Sequence, residues 1–293
     1  MRYPSIKGEL VKFQAKDGLA LDGFLHRSSS GNKKAIINVF GMTGNFFSSK
    51  RYDELCRAAK GSGFDVFMPN NRGMGMVNGF HHKRGGKTVV VGTARERFED
   101  CVYDIDGAVR FLRGLGYRTI VLQGHSTGCQ KIVYYLFRKP SAPVDGLVLL
   151  APDDDHNVAR KELGKRFGEA VRIAKKMVRS HRGDEITPAW ISYYSAKRFL
   201  SYAGKKSVEG RLFNYNSKLK EVSSIHLPML VVFGARDEFA VLPVKQYVGI
   251  LKSKTSSASF ESVIIGAADH GFYRKEKELA CAVMGWVTKL KDQ

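Results

Sequence analysis

The chain has 293 residues, 43% of them hydrophobic, and a formal net charge of +20 from 48 Lys and Arg against 28 Asp and Glu. Core size is not limiting at this length, repeats and low-complexity stretches are absent, and no apolar run approaches the eighteen or so residues needed to span a bilayer. The charge favours anionic partners, so composition alone leaves nucleic acid, acidic lipid headgroups and anionic substrates open.

Met1-Arg2-Tyr3-Pro4-Ser5 opens polar, with no signal-peptide core, and leads into a strand pair at roughly Glu9 to Phe13 and Leu19 to Leu25. A strand at Ala35 to Phe40, a helix near Tyr52 to Lys60 and a strand at Phe64 to Met68 follow. The glycine-rich connection from Asn70 to Gly92 carries Arg72, Lys83, Arg84 and Lys87 and the pair His81-His82, and reads as a solvated, mobile rim. Phe98, Val102, Ile105, Val109 and Leu112 recur at helical spacing and predict a helix from Arg95 to Arg113. Then come a strand at Thr119 to Leu122, a helix around Ile132 to Leu136, and strands at Leu147 to Leu150, Pro228 to Gly234 and Phe260 to Ile265, before a last helix around Trp286. Apolar strands alternating with helices predict a mostly parallel central sheet covered on both faces. Cys56, Cys101, Cys129 and Cys281 fall one per element without paired spacing. They read as small buried hydrophobes in a reducing compartment, so a cytoplasmic location is expected.

The chemistry is carried by Gly124-His125-Ser126-Thr127-Gly128, a G-x-S-x-G turn set directly between a strand and a helix. Such a turn strains the serine backbone and leaves no room for side chains on either flank, where both residues are glycine. Ser126 is the candidate nucleophile, and the amide of Thr127, opening the helix, is a candidate oxyanion donor. Asp237 follows the buried strand ending at Gly234, and His270 lies on the loop after the strand ending at Ile265. A neutral imidazole takes the serine proton and a carboxylate behind it fixes the tautomer, so these three form a candidate triad. Glu238 is the competing acid; Asp237 is preferred because it lies one residue nearer the strand end. Asp269 is read as bonding its local backbone. The loop Gly41-Met42-Thr43-Gly44, after an early strand, offers the Met42 amide as second oxyanion donor. Singly, each residue has a bland reading as turn serine, helix cap or surface histidine. Their order and their shared placement at strand ends favour the joint one.

With these elements in this order, the chain resembles the α/β-hydrolase superfamily of serine hydrolases, from the strand pair near Glu9 to the helix around Trp286. Asn70-Asn71-Arg72-Gly73-Met74-Gly75 resembles the superfamily's Arg-Gly-x-Gly turn. Many members carry histidine before the oxyanion glycine, where this chain has Phe40. The elbow Gly124 to Gln130 is similar to that of a group including fungal siderophore ester hydrolases. The resemblance implies an α/β-hydrolase fold and a carboxylic ester substrate cleaved through an acyl-enzyme without a cofactor. Thioesters, amides, carbon–carbon bonds and acyl transfer remain alternatives on the same triad.

Between Asp153 and Val222 no strand signal occurs, and residues 153–220 read as a helical cap inserted into a core of residues 1–152 and 221–293. Leu163, Phe167, Ala170, Val171, Ala174, Met177 and Val178 form one apolar stripe, and Trp190, Ile191, Tyr193, Tyr194, Phe199 and Tyr202 an aromatic cluster. Phe167, Val171 and Trp190 are the expected substrate contacts of a pocket roofed by this cap, although packing between cap and core explains the stripe as well. His156 to Lys220 carries 16 Lys and Arg against five Asp and Glu, more than half of the chain's excess. A basic surface of this kind suits an anionic membrane or nucleic acid, yet no RNA- or DNA-binding motif is readable, and a small-molecule ester is the expected partner. Asp153-Asp154-Asp155-His156 has metal-ligand chemistry, but consecutive residues rarely converge on one ion, and the run reads as the acidic N-cap of the first cap helix.

Overall fold

The computed structural model describes residues 6–28, 31–83, 85–188 and 190–290; Met1 to Ser5, expected to hold no leader, and Arg84, expected on the rim, lie outside the described residues. An antiparallel hairpin of β1 (Glu9–Gln14) and β2 (Ala20–His26) is followed by β3 (Lys34–Val39), α1 (Lys50–Ala59) and β4 (Phe64–Pro69). A short ladder of β5 (Gly79–His81) and β6 (Thr88–Val90) precedes α2 (Cys101–Gly114), β7 (Thr119–His125), α3 (Thr127–Arg138) and β8 (Gly146–Leu150). Then come α4 (Asp155–Leu163), α5 (Phe167–Arg179), the two-residue ladder of β9 (Ile186–Thr187) and β10 (Tyr194–Ser195), α6 (Ala196–Ala203), α7 (Val208–Leu212) and α8 (Lys220–Ser223). The chain closes with β11 (Met229–Gly234), α9 (Val244–Lys254), β12 (Phe260–Ile265) and α10 (Glu276–Val287).

Eight strands form one sheet in the order β1-β2-β4-β3-β7-β8-β11-β12, parallel from β4 onward. The central strands are apolar on both faces because both are covered. In β11, Met229, Val231 and Phe233 join the cluster under α2, α3 and α9, while Leu230 and Val232 join the one under α1 and α10. The parallel register pairs Val39 with Gly124, His125 with Leu150, Leu150 with Val232, and Gly234 with Ile265, so the loops after β3, β7, β8, β11 and β12 all leave one sheet edge.

The insertion between β8 and β11 has its own hydrophobic cluster, with Leu163, Ala174, Trp190, Tyr194, Phe199 and Tyr202 buried in it. In its C-terminal part, Leu212, Phe213, Tyr215 and Leu219 pack in the main core cluster instead. A buried ionic cluster joins the insertion to α3 and the loop before α2. Arg198 of α6 pairs with Glu209 and Glu96, and Glu96 also pairs with Lys131 of α3 at 2.9 Å.

Three expectations need correction. The helix predicted from Arg95 begins only at Cys101, after a 3-10 turn at Phe98–Asp100, because residues 92–96 are pinned into the preceding loop: Ala94 N bonds Met76 O, and Glu96 is drawn into the ionic cluster. The connection from Asn70 is not a solvated rim throughout, since Arg72 is buried and pairs with Asp104 at 2.7 Å and Asp17 at 2.9 Å, and His82 Nε2 lies 2.8 Å from Asp17 O. Cys281 is exposed on α10, unlike the other three cysteines.

Candidate active site

Ser126 stands alone between β7 and α3 with φ 55 and ψ −132, a backbone region that costs a non-glycine residue about 1 to 3 kcal/mol. It is held by both neighbours, with Ser126 N donating to Leu150 O at 2.9 Å and Cys129 N to Ser126 O at 2.8 Å. The flanking glycines are needed for each other and for β3. A Cβ on Gly124 would stand 2.5 Å from the Gly128 carbonyl, and one on Gly128 2.2 Å from Val39 O. Gly41, in the loop after β3, has its Cβ position 3.1 Å from Ser126 Cβ and 3.3 Å from Thr127 N, so this loop lies directly against the elbow. Its next residues are Met42 and then Thr43, whose N donates to Thr93 Oγ1 at 2.6 Å in a left-handed conformation of φ 59.

On the same edge, His270 Nδ1 lies 3.1 Å from both Asp237 Oδ1 and Asp237 Oδ2. Glu238, the alternative acid, instead accepts from the backbone His270 N at 2.9 Å. A third carboxylate is present that the sequence reading assigned elsewhere. Asp153 Oδ2 lies 2.9 Å from His270 Nδ1, so Asp153 is not part of a helix cap. The four consecutive residues diverge: Asp153 faces His270, Asp154 caps α4 by accepting from Asn157 N at 3.0 Å, Asp155 is buried at the helix start, and His156 Nδ1 lies 2.7 Å from Ala203 O. Strand-end position was the signal for Asp153, which follows β8 at the edge where ligands bind in such sheets. Burial pulls the His270 imidazolium down, but the contacts and charges of Asp153 and Asp237 outweigh it and push the ring up to about 10. Burial pushes Asp153 up to about 6, Asp237 adding to the push and His270 opposing it.

Two further residues escaped the sequence reading. His125, the second residue of the elbow motif, places Nε2 2.9 Å from His270 O, and its Nδ1 lies 3.3 Å from Arg51 Nη2. Arg51 Nη1 donates to Gly271 O at 2.8 Å, so together they hold the backbone of the histidine loop. Burial, then the charges of Arg51 and His270, lower the His125 pKa well below its ordinary value and keep the ring neutral.

Ser126, His270, Met42 and Gly41 border an open cavity of about 920 Å³. Its far wall is contributed by the insertion through Ile191, Ser192, Tyr194 and Tyr202. The expected contacts Trp190, Phe167 and Val171 do not form that wall. Trp190 stacks on Phe199 at 4.6 Å and donates Nε1–H to Tyr194 O, Phe167 packs edge-on against His156, and Val171 packs on the insertion's own cluster. The apolar stripe and the aromatic cluster marked an inward-facing side without revealing that its partners lie within the insertion. Tyr194 also donates to Met42 Sδ at 3.1 Å, touching the loop beside the elbow.

No curated protein sequence matches the chain. Among solved structures, it is similar to the siderophore hydrolase EstB from Aspergillus fumigatus, with a TM-score of 0.73 and 18% identity over 99% of this chain and 100% of that one. Est1E from Butyrivibrio proteoclasticus, solved with ferulic acid bound, superposes with a TM-score of 0.68 and 16% identity over 95% and 98% of the two chains. The monoacylglycerol lipase of Paleococcus ferrophilus gives 0.62 and 19% over 92% and 99%. At these identities the likeness establishes the fold, that of the α/β-hydrolase superfamily. The family model described as a protein of unknown function (DUF1749) matches residues 96–289, and the chain, which has the α/β-hydrolase fold, therefore belongs to that family.

Proposed function

We propose that the chain is a serine hydrolase of carboxylic esters acting through an acyl-enzyme. The observation that carries this reading is the convergence on one cavity of a serine at a strained elbow and a histidine whose Nδ1 lies 3.1 Å from a buried aspartate. Ser126 Oγ attacks the acyl carbon as its proton passes to His270 Nε2, and the carbonyl electron pair moves onto oxygen, where the amides of Met42 and Thr127 receive it. Collapse expels the alcohol, which takes the proton from Nε2 and leaves Ser126 acylated. Water then attacks with the same nitrogen as base and releases the acid. Asp237 holds the proton on Nδ1 and stabilises the imidazolium.

Within residues 153–220, the helical part up to Ala203 serves as the cap over a core of 1–152 and 221–293, and contributes the wall at Ile191 and Tyr202. The hydrolase and lipase activities named for the similar structures support an ester as substrate, and four free thiols fit a reducing, cytoplasmic setting. A fluorophosphonate probe and a panel of p-nitrophenyl esters test the reading. The native protein labels and hydrolyses, while Ser126→Ala does neither and loses up to about a million-fold in turnover. Near-native hydrolysis by Ser126→Ala, or a native protein inert to both reagents, overturns it.

A further inference from the structure

His270 is approached by two carboxylates where an oriented base needs one. Asp237 accepts along the ring N–H, with both oxygens at 3.1 Å. Asp153 arrives from the loop after the neighbouring strand β8, with Oδ2 closer, at 2.9 Å. Apart from His270, neither Asp153 oxygen meets a hydrogen-bond donor among the described residues, although the side chain is buried. A carboxylate in that condition costs several kcal/mol when ionised unless a positive charge stands beside it.

The surrounding groups narrow the source of that charge. Asp237 and Glu238 from the β11 loop and Asp155 at the start of α4 are acidic. His125 from β7 is kept neutral, Arg51 of α1 is turned to His125 and Gly271 O, and Tyr215 gives its hydroxyl to Pro152 O. What remains is the imidazolium of His270, which forms as Ser126 gives up its proton.

We propose that Asp153 is a second positioning residue for the base, gripping the Nδ1 side of His270 together with Asp237 so that the two carboxylates and the ring hold one proton in common. The proposal rests on the reading of Ser126 and His270 as nucleophile and base. Two carboxylates about 3 Å from one nitrogen repel each other while the ring is neutral and both favour the ring once charged, so the three titrate as a unit. The charge developing on His270 in the transition state is thereby stabilised. The accompanying cost is that a second carboxylate on the ring raises the pH at which His270 is free to act as base.

The test is the pH dependence of Ser126 labelling by a fluorophosphonate, which needs no knowledge of the natural ester. In the native protein the rate rises with pH along a limb displaced above the ordinary histidine value. Asp153→Asn removes one negative charge, so the limb moves down by about 1 to 3 pH units, labelling below it speeds up about ten-fold per unit, and the alkaline plateau falls. Asp154→Asn, the neighbouring helix cap, leaves the limb in place. An Asp153→Asn limb coincident with the native one overturns the proposal. Should that variant not fold, ¹⁵N-imidazole NMR of the native protein, with His270 assigned through His270→Gln, decides: titration well above 6.5 supports the shared proton and titration at or below 6.5 refutes it. A native protein that never labels refutes the hydrolase reading instead, and the NMR titration still answers for Asp153.

Discussion

Gly41→Ala isolates the proposed oxyanion loop from the proposed triad. The added methyl would sit 2.8 Å from His125 O, 3.1 Å from Ser126 Cβ and 3.3 Å from Thr127 N, where ordinary contact begins at 3.4 Å. The loop must therefore retreat from the elbow by about 0.6 Å, carrying the Met42 amide with it. A displacement of about 1 Å costs on the order of a hundred-fold, and outright loss of one oxyanion donor about a hundred- to a thousand-fold. The expected fall in kcat is about ten- to a hundred-fold and exceeds the change in KM, because the opposite wall at Ile191 and Tyr202 is untouched. Overpacking of about 1 to 3 kcal/mol lowers Tm by a few degrees without unfolding the chain. The assay is initial-rate hydrolysis of p-nitrophenyl butyrate beside a thermal melt. A folded variant within about three-fold of native kcat would refute the claim that this loop supplies the second donor, since the benchmark for losing one is some two orders of magnitude.

Asp237→Asn lowers turnover by as much as about ten-thousand-fold, because an amide in that place selects the wrong tautomer. Glu238→Gln costs far less, since Glu238 bonds the backbone N–H of His270 and not its ring; equal losses from steady-state kinetics would reassign the acid. Ile191→Ala enlarges the cavity wall and shifts preference toward longer acyl chains in a p-nitrophenyl ester series. Trp190→Ala removes the stack on Phe199, lowering stability by about 3 to 5 kcal/mol in chemical denaturation. The opposite pattern, with selectivity changed at Trp190 and unchanged at Ile191, would move the pocket into the insertion's core.

Local signals marked the elements that depend on local chemistry. Runs such as Met229 to Phe233 are apolar at every position because they are covered from both sides, and the glycines around Ser126 announce a turn no other residue fits. Contacts between distant segments left weaker traces. Asp153 sits in a run of acids that resembles a helix cap, and the neighbouring Asp154 does form that cap, which concealed the different direction of Asp153. Arg51 and His125 are 74 positions apart, and neither segment hints at the other. The excess of positive charge misled locally for the same reason. Arg72 was counted with a solvated rim, yet its carboxylate partners lie on β2's approach and on α2. Apolar periodicity in the insertion found its buried face without naming what that face buries.

The ionic cluster around Arg198 limits how far the insertion can move from the rest of the chain. Arg198 is fully buried, paired with Glu209 and Glu96, and its Nε donates to Thr93 O, the residue whose hydroxyl receives the Thr43 amide. A lid swinging as one piece would have to withdraw this guanidinium, leaving Glu209 without it and Glu96 with Lys131 alone, at about 3 to 5 kcal/mol for the broken buried pairing. Such an opening would occupy less than about one molecule in a hundred, and it would slacken the oxyanion loop at the moment of entry. On the proposed hydrolase reading, traffic runs through the open mouth of the cavity, and turnover on small esters is expected to track their diffusion and chemistry without a gating step.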